Sequence, residues 1–455
     1  MPDRVYPRLE VFERLQISDG MTINADRWQQ SHNYHRHRQN FHYQALYKAG
    51  IVYGLGVAIA PEQPDHRLLQ VQPGIAIDIS GNPIVVPRPE EFRLDSDPSE
   101  GQVLLVYLVV NHVDPDDLRR NSAARAVQET FRIVEKLHLD PHDVEICRIE
   151  LQSGVTQLQV PVNVFLPGLN QLDFRGRCQP QPQPQFHVQV GQVTIGQPSD
   201  VVIQTALMDL QRSLPGLYPT LHSNLTVQSF TAQGLGREAI NCQLLHIPYR
   251  VLLTLPNPGI QRLQAFLAQG GVVLTVADFA EVDLLDLLDI GQELQSGLLE
   301  AKRDRDLFDQ TGAQLQEEIA ANQSALVQQI SEIEQPLAAI AYRLGLSLTE
   351  SGELHDEHPL RWQPFAFSQL PDRQGHPIIV RNWGGLVLMI GDLTQCWGRN
   401  ATPPVPREAL RSAQEWGINL LHFAAQRCHW TQALTALPTA TDARPDSLQH
   451  RTQPT

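Results

Sequence analysis

The sequence predicts a mixed α/β protein: a β-rich N-terminal domain with a leading helix, then a doubly wound parallel-sheet domain that carries a helical-hairpin insertion. Three observations predict this class. Short segments of alternating apolar residues fill the first third of the chain. Buried strand-like runs alternate with helical segments in the second half. A proline- and glutamine-rich segment separates the two patterns.

Length and composition limit the function classes. At 455 residues, with about 150 residues per domain, two or three domains are expected. Hydrophobic residues at 42% and charged residues at 19% describe a globular protein that is neither disordered nor membrane-embedded. A formal charge of −15 argues against a nucleic-acid or anionic-membrane surface. The absence of a long apolar run predicts a cytoplasmic protein that meets membranes only through an assembly.

The cysteines indicate no metal or disulfide framework. They are Cys147, Cys178, Cys242, Cys396 and Cys428. Their number is odd, they lie far apart, and none forms a C-x-x-C pair. A structural zinc site or a disulfide scaffold is therefore not expected, and a reducing compartment is.

The leading helix is expected to start after Thr22 or Asn24 and to run to about Ala49, with Gly50 as a left-handed C-cap. It contains four histidines, of which His32 and His35 are spaced to share a face. No carboxylate or cysteine completes a metal set there. An amphipathic, partly interfacial helix is favoured over a metal site, and no cofactor is predicted.

The next stretch turns to strand. Residues 51–57 alternate, with glycines between the apolar positions that suggest a close backbone approach or a bulge. Residues 69–79 continue the period of two, Gly81-Asn82 predicts a tight turn, and residues 84–86 return as a partner strand. A hairpin against a helix is the simplest interpretation.

This stretch resembles a known module. An approach helix with paired His and Arg, then G-[IV]-V-x-G-L-x-V, then V-x-P-G-x-A-[IL]-D-x-x-G-x-x-I-x-V, is similar to an N-terminal module of phage-tail-like contractile injection systems. The assembly-motif residues here are His42, Gly50, Gly54, Leu55, Pro73, Gly74, Asp78 and Gly81. The resemblance covers about the first hundred residues. It implies a structural part of a large assembly, present in multiple copies and bound to other subunits, and it implies no reaction.

The remainder of the first domain contains three more expected strands. The apolar run Val103–Val110 predicts its central strand, and residues 130–134 and 144–151 predict two others. Residues 161–177 are interpreted as a crossing segment. The first domain is therefore expected over residues 1–178, followed by a stiff polyproline-type linker over residues 179–186.

The second domain is expected over residues 187–430. Residues 188–195 predict a short hairpin around Gly191, and residues 201–214 have helical or mixed character. Residues 251–255 predict a buried strand, residues 260–268 a helix capped by Gly270-Gly271, and residues 272–277 a second buried strand.

These segments form a βαβ unit, which requires a parallel sheet covered on both faces. Residues 378–380 and 386–390 add strands, and residues 407–425 add a closing helix. A flavodoxin-like or amidotransferase-like doubly wound domain is expected. Residues 431–455 are polar and predict a flexible tail.

The second domain also carries a resemblance. G-G-V-V-L-T-V-A-D-F at 270–279, His358-Pro359, and G-D-L-x-x-x-W at 391–397 resemble a bacterial domain related to the ThuA and class I glutamine amidotransferase-like fold. That fold implies a nucleophile on a sharp elbow after a strand. Neither cysteine nor serine occupies such an elbow here, so no enzyme is predicted.

A ligand pocket is the alternative. Asp278 and Asp392 follow predicted parallel strands, at whose carboxyl ends ligands bind, and with His358 they could hold a metal or a polar ligand. Each aspartate could instead cap the following helix. Cys396 lies four residues after Asp392 and could serve as a nucleophile. The favoured interpretation is that Cys396 is a small, packed hydrophobic residue beside Trp397.

An insertion over residues 282–335 interrupts the second domain. Residues 282–305 and 313–335 have apolar steps of three and four and predict two coiled-coil-like helices divided by Thr311-Gly312. Together they would form an antiparallel hairpin about 35 to 40 Å long. Such an arm could contact a neighbouring subunit or fold back over the sheet.

Two functional hypotheses follow. The preferred one is a structural, non-catalytic subunit in the baseplate or an accessory layer of a contractile injection system, with protein partners and neither nucleic acid nor direct membrane insertion. The alternative is an amidotransferase-like enzyme or a ligand-binding protein that uses Asp278, His358 and Asp392. A fibre or adhesin is disfavoured because the sequence lacks β-repeats.

Overall fold

A computed structural model describes residues 11–60, 67–114, 129–154, 157–303, 305–346, 352–398 and 405–434, with the backbone alone for residues 305–310. Within these ranges, no helix has the length and apolar character needed to cross a membrane. The chain divides into two compact units, Met1–Gln183 and Pro184–Thr455. The protein is mixed α/β, as predicted, with a β-rich first unit.

The first unit begins with α1, Ala25–Leu46. The Asn24 side chain caps it by accepting a hydrogen bond from the Arg27 backbone N–H at 3.0 Å. The expected end of the helix at Gly50 was wrong. The helix stops at Leu46, and Gly50 is buried in a strand, where a Cβ atom would lie 2.7 Å from the Cys178 carbonyl oxygen. Gly50 therefore allows a close approach of two backbones rather than a left-handed cap.

Nine strands follow α1 in the described part of the first unit. They are β1 (Gly50–Gly54), β2 (Val57–Ile59), β3 (Leu68–Val71), β4 (Gly74–Ile77), β5 (Pro83–Val86), β6 (Glu90–Arg93), β7 (Val103–Val113), β8 (Thr130–Lys136) and β9 (Val144–Gln152). They form three antiparallel sheets with the orders β1-β4-β5, β2-β3-β6 and β8-β7-β9. The predicted hairpin is the β4–β5 pair, and β7 is the central strand of its sheet, as its apolar run predicted.

The predicted linker is partly integrated into the first unit. The Lys48 N–H donates to the Gln181 carbonyl at 2.8 Å, and the Gln183 N–H donates to the Leu46 carbonyl at 2.8 Å. Proline lacks an N–H, but alternation with glutamine leaves a donor at every second position. The first half of residues 179–186 is thus paired with the chain after α1 and is not a separate spacer.

The second unit contains one six-stranded mixed sheet. Its strands are β10 (Phe186–Thr194), β11 (Leu221–Thr231), β12 (Leu244–Pro248), β13 (Val272–Ala277), β16 (Ile379–Trp383) and β17 (Leu386–Ile390), with a small hairpin of β14 (Asp372–Arg373) and β15 (His376–Pro377) beside it. The order is β11-β10-β12-β13-β17-β16. Five strands are parallel, and β16 is an antiparallel edge strand.

Helices cover this sheet. They are α2 (Pro198–Leu217), α3 (Tyr249–Leu253), α4 (Asn257–Ala268), α5 (Leu285–Ala301), α6 (Arg305–Arg343), α7 (Pro359–Trp362) and α8 (Arg407–Leu434). Two separate hydrophobic clusters lie in this unit, and each contains side chains from the central strands. α8 extends beyond the predicted residue 425, so residues 431–434 of the predicted tail are helical. The rest of that tail lies outside the described residues.

Two predicted strand elements were wrong. Residues 188–195 do not form a hairpin: Gly191 lies within the continuous strand β10, where a Cβ atom would meet the Cys242 sulfur at 2.9 Å. Residues 251–255 are not a strand, since Tyr249–Leu253 is the short helix α3 and the strand before it is Leu244–Pro248. A five-residue apolar run does not distinguish a buried strand from a buried helical turn.

The insertion is a pair of helices with an unexpected division. Thr311-Gly312 lies inside α6, a helix of 39 residues, and the break comes after Ala301. α6 is therefore about 58 Å long and α5 about 25 Å. The Asn322 side chain donates to the Leu287 carbonyl at 3.0 Å, beside Gly291, and so fixes the two helices side by side.

The two halves of α6 differ in burial, and only the later half folds back over the sheet as one alternative predicted. Its later residues Ile333, Leu337, Ile340 and Ala341 are buried in one cluster with strand side chains, as is Leu344 just after the helix. The Tyr249 hydroxyl donates to the Ile333 carbonyl at 2.9 Å and ties this half to α3. The earlier half pairs with α5 and contributes fewer buried side chains. We call α5 with residues 311–330 of α6 the arm.

Candidate functional site

The assembly-motif glycines build a tight crossing of two chain segments. Gly54 has φ +67° and Leu55 has φ +54°, both in the left-handed region. The Leu55 N–H donates to the Pro73 carbonyl at 3.2 Å, and the Gln72 N–H donates to the Gly56 carbonyl at 2.7 Å. A Cβ atom on Gly54 would overlap the Pro73 carbonyl oxygen. Only glycine lets the backbone turn and approach at the same point.

Asp78 and Gly81 close the β4–β5 turn. Asp78 is 5% exposed, and its two carboxylate oxygens accept from the Asn82 backbone N–H at 2.8 Å and the Asn82 side-chain amide at 2.9 Å. Gly81, at φ +78°, lies against Asn40 of α1, where a Cβ atom would overlap the Asn40 carbonyl oxygen. The β4–β5 turn thereby packs against α1.

Arg177 was not identified from the sequence. Its guanidinium donates to the Gly54 carbonyl at 2.7 Å, the Leu55 carbonyl at 2.5 Å and the Ile146 carbonyl at 3.0 Å. Burial lowers the pKa of this guanidinium from its usual value. The arginine thereby ties the Gly54–Leu55 turn to Ile146 of β9. No spacing pattern links residue 177 to residues 54 and 55, so sequence reasoning could not have paired them.

Most assembly-motif residues therefore face the interior of the first unit. Gly50, Leu55, Gly74, Asp78 and Gly81 are buried, whereas His42, Gly54 and Pro73 are exposed. The motif specifies a rigid scaffold, and any contact with another subunit must use the side chains that this scaffold displays.

In the second unit, two of the three predicted pocket residues lie at one edge of the sheet. Asp278 follows β13 and Asp392 follows β17, at the carboxyl ends of neighbouring parallel strands. The Asp392 carboxylate accepts from the Thr394 N–H at 2.8 Å and the Thr394 hydroxyl at 2.5 Å. The Asp278 carboxylate accepts from the Ala280 N–H at 3.0 Å. Both carboxylates thus cap the turns that follow their strands.

His358 lies elsewhere. Its Nδ1 accepts from the Leu360 N–H at 3.2 Å, and its ring is 5.7 Å from that of Phe423 on α8. The His358 side chain also neighbours Asn382. Asn382 pairs with Val387 near the start of β17, whereas Asp392 follows the end of that strand. The structure therefore does not bring His358 to the two aspartates. Within the described ranges, no group of three His, Cys, Asp or Glu side chains is arranged to hold a metal ion.

The small β14–β15 hairpin places Arg373 near Asp392, one of the two strand-end aspartates. Arg373, on β14, donates to the Gln395 side chain at 3.2 Å and lies 3.8 Å from the Cys396 sulfur. The buried His376, on β15, lies 2.7 Å from Asp289 of α5. These residues come from the small β14–β15 hairpin, whose position at this edge no sequence pattern predicts. Burial raises the pKa of the Cys396 thiol, which disfavours a reactive thiolate.

Burial raises the pKa of Asp392 above its ordinary value of 3.8, and the nearby Asp278 charge acts in the same direction. The Thr394 hydrogen bonds and the Arg373 charge oppose this shift without cancelling it. Because the folded state holds the proton more tightly than the unfolded state, this carboxyl stabilises the fold below pH 3.8 and loses that contribution as the pH rises through its raised pKa.

We therefore expect Asp392→Asn to remove one pH-dependent component of stability. An asparagine oxygen can still accept from Thr394 without a buried charge, so the variant should equal or exceed the parent in thermal stability at pH 7. Its advantage should shrink as the pH falls towards 4. Melting curves of parent and variant at matched pH values check this. A variant that melts lower than the parent at pH 7 would contradict it.

The comparisons with known proteins place the chain in no family. No family model matches it, and no curated protein matches it. One similar solved structure, "Crystal structure of TssK", has a TM-score of 0.21 and 14% identity over 45% of this chain and 48% of that one. Another, "The baseplate complex from the type VI secretion system", has a TM-score of 0.19 and 13% identity over 81% of this chain and 94% of that one. The match spans about half the length of the TssK chain.

Proposed function

We propose that this chain is a structural, non-catalytic subunit of a large bacterial assembly, present in multiple copies in the baseplate or an accessory layer of a contractile injection system. The observation that carries the proposal is the arm. It is attached to the second unit, yet α5 contributes only Ala301 as a buried residue, with Leu285 and Leu288 partly buried against the core.

The exposure of α5 supports a contact role. Of its 17 residues, only Ala301 is buried. Leu299 is 62% exposed and Ile290 is 46% exposed, while Val327 on the facing helix is 68% exposed. One face of α5 is partly buried, and the opposite face, with Ile290 and Leu299, is open to a contact with another subunit.

The charge of α5 indicates what kind of partner it would meet. Its charged residues are Asp286, Asp289, Glu293 and Glu300, with no lysine or arginine. A partner surface with basic residues at its rim and apolar residues at its centre would complement this helix. In this proposal the protein is cytoplasmic and reaches a membrane only through the assembly.

The second unit serves as the arm's base in this proposal. Counted along the unit, its five parallel strands run 2-1-3-4-5, if the antiparallel edge strand is set aside, which is the flavodoxin-like order. The strand-end carboxylates that such folds use for ligands cap their own turns here. We therefore assign this sheet a scaffolding role.

An arm-shortened variant tests the proposal. Residues 292–321 would be replaced by a short Gly/Ser turn, because Gly291 and Asn322 are neighbours across the two helices. We expect the variant to fold, because the buried half of α6 is kept, and to be absent from fast-sedimenting particles in the native host. Tyr342→Ala, an 84% exposed site outside the removed segment, is the control and should sediment as the parent does. Retention of the shortened variant in particles at the parental level would contradict the proposal.

One observation favours a ligand site at the strand ends as a second candidate. The Arg373 Nε is buried, beside Cys396 and near Asp392, and finds no hydrogen-bond partner among the residues that the structure describes. A small anion could satisfy this donor. Thermal-shift titration with inorganic phosphate, on the parent and on Arg373→Met, tests it. Stabilisation of the parent alone would support this second candidate.

A further inference from the structure

The helix α1 is attached to the first unit by one face only. None of its 22 residues is buried. On the attached face, the Phe41 ring packs edge to face on Phe12 with centroids 5.3 Å apart, and Asn40 contacts Gly81 of the β4–β5 turn. The opposite face carries six exposed side chains, spaced four and three residues apart in turn, which we call the α1 seam. They are Trp28, His32, His35, Gln39, His42 and Leu46. This spacing keeps them on one line, along which a second helix can pack.

α1 is basic, although the whole chain has a formal charge of −15. Three arginines and one aspartate give the helix a charge of +2 when its histidines are counted as neutral. Arg27 and Arg38 are exposed along one side of the α1 seam, and neither has an acidic partner within the part of the chain that the structure describes. The surface around the seam therefore favours an acidic partner.

α5 in the second unit has the complementary charge. Its four exposed carboxylates share one face of the helix, which we call the acidic face. They are Asp286, Asp289, Glu293 and Glu300. Asp289 lies 2.7 Å from His376, but the other three, spaced seven residues apart, have no ion pair among the described residues. Like charges at this spacing repel one another, so a basic helix beside them would relieve the repulsion.

We propose that the α1 seam of one copy binds along the acidic face of α5 in a second copy. The lengths match: Arg27 and Arg38 are about 16 Å apart along α1, and Asp286 to Glu300 span about 21 Å along α5. Arginine forms bidentate hydrogen bonds with carboxylates, and the imidazole and amide groups of the seam offer further N–H donors. This inference rests on the proposed function, because it names the partner that the arm of a multi-copy subunit would meet.

The composition of the α1 seam favours a protein partner over a lipid surface. A helix that lies in a membrane interface needs a continuous apolar face. Between Trp28 and Leu46, the seam consists of three histidines and one glutamine. These side chains find acceptors on an acidic helix and none among acyl chains.

The expected strength follows from the size and charge of the contact. Two helices side by side form a small interface, which is weak or transient, so we expect self-association in the micromolar range. Exposed charges are screened by salt. Self-association should therefore weaken about tenfold or more between about 50 mM and 500 mM salt.

Sedimentation velocity of the purified full chain, over a concentration series at low and high salt, measures this. The α1-reversed variant carries Arg27→Glu and Arg38→Glu, and the α5-reversed variant carries Glu293→Arg and Glu300→Arg. Each variant alone presents like charges on both helices, so each should self-associate at least about tenfold more weakly than the parent.

A matched control carries Glu100→Arg and Glu408→Arg, the same change of charge at two exposed sites outside both helices. It should associate as the parent does. Melting curves establish that every variant is folded.

An equimolar mixture of the two reversed variants tests whether the contact joins different copies. In the mixture, the acidic α1 of one variant meets the basic α5 of the other, and the two unchanged helices also meet. Association should return to the parental level, although neither variant associates alone. A gain on mixing can come only from a contact between chains.

Three results would overturn the inference: a parent chain that stays monomeric at low salt, a reversed variant that associates as the parent does, or a mixture in which association does not return. Binding of the parent, but not of the α1-reversed variant, to vesicles of phosphatidylcholine and phosphatidylserine would assign α1 to lipid and also overturn it. If the parent is monomeric in solution while the α5-reversed variant alone is lost from particles of the native host, a different subunit covers α5. The inference then fails and the proposed function stands, because that function is tested by the presence of the protein in those particles.

Discussion

Gly54→Ala is expected to destabilise the first unit by about 3 kcal/mol or more. Two costs combine. An alanine at φ +67° pays the penalty of the left-handed region, about 1 to 2 kcal/mol. Its Cβ would also overlap the Pro73 carbonyl oxygen, so the crossing of β1 and β4 must open. Opening this crossing also moves the carbonyls that Arg177 holds.

Gly154→Ala separates these two costs. Gly154 has φ +75°, yet among the described residues, its chain neighbours aside, no atom lies within 4 Å of the position that its Cβ would occupy. Gly154→Ala should lower the free energy of unfolding only by the cost of the left-handed conformation, about 1 to 2 kcal/mol. Hydrogen exchange read by mass spectrometry on peptides of the first unit measures both variants, because a chain with two units need not unfold in one step. Equal losses of stability in the two variants would show that the close approach of Gly54 to Pro73 contributes nothing to the effect of Gly54→Ala.

Leu337→Ala is expected to destabilise the second unit by about 2 to 5 kcal/mol. Leu337 is fully buried, in one cluster with side chains of the central strands, so truncation leaves a cavity under α6. The expected result is faster hydrogen exchange in β12 and β13. This effect would identify the later half of α6 as part of the fold.

Leu299→Ala is the matched control for that prediction. It makes the same chemical change on α5, where the side chain is 62% exposed. The free energy of unfolding should change by no more than about 0.5 kcal/mol. If Leu299 contacts a neighbouring subunit, the same variant should reduce incorporation into particles. Similar destabilisation by both variants would mean that α5 is a packed part of the unit and not a contact arm.

Periodicity predicted the elements whose hydrophobic pattern is long or is bounded by turn or capping residues. The apolar run of β7, the alternation in β4 and β5, and the helix α4 with its terminal glycines were all recoverable. Short apolar runs were not. The apolar pattern of Val251–Leu255 is compatible with a strand and with a helical turn. In the structure, Tyr249–Leu253 forms the helix α3, in which Tyr249 and Leu252 are buried. The glycine at 191 suggested a turn, but the bulk of Cys242 opposite it is what requires a glycine there.

The site was predictable in part. Strand ends place Asp278 and Asp392 at one edge because parallel strands share a direction, and that follows from the sequence pattern. His358 could not be placed, since its position depends on the path of a segment between elements. Arg373, His376 and Arg177 reach their partners through connections that have no periodicity. The interpretation of residues 161–177 as a crossing segment does not predict that Val162, Phe165 and Leu166 are exposed, because sequence alone does not show which apolar residues remain exposed.

The claim that this chain is a structural subunit of a large assembly is tested most directly by sedimenting lysate from the native host. The fractions would be probed for the protein, and the fast fraction would be imaged by electron microscopy. We predict that the protein travels with megadalton, tail-like particles and that the arm-shortened variant does not. If the parent chain instead sediments near its monomer mass of 51.1 kDa, the assembly role is contradicted. The strand-end cluster around Asp392 and Arg373 would then be the place to search for a ligand.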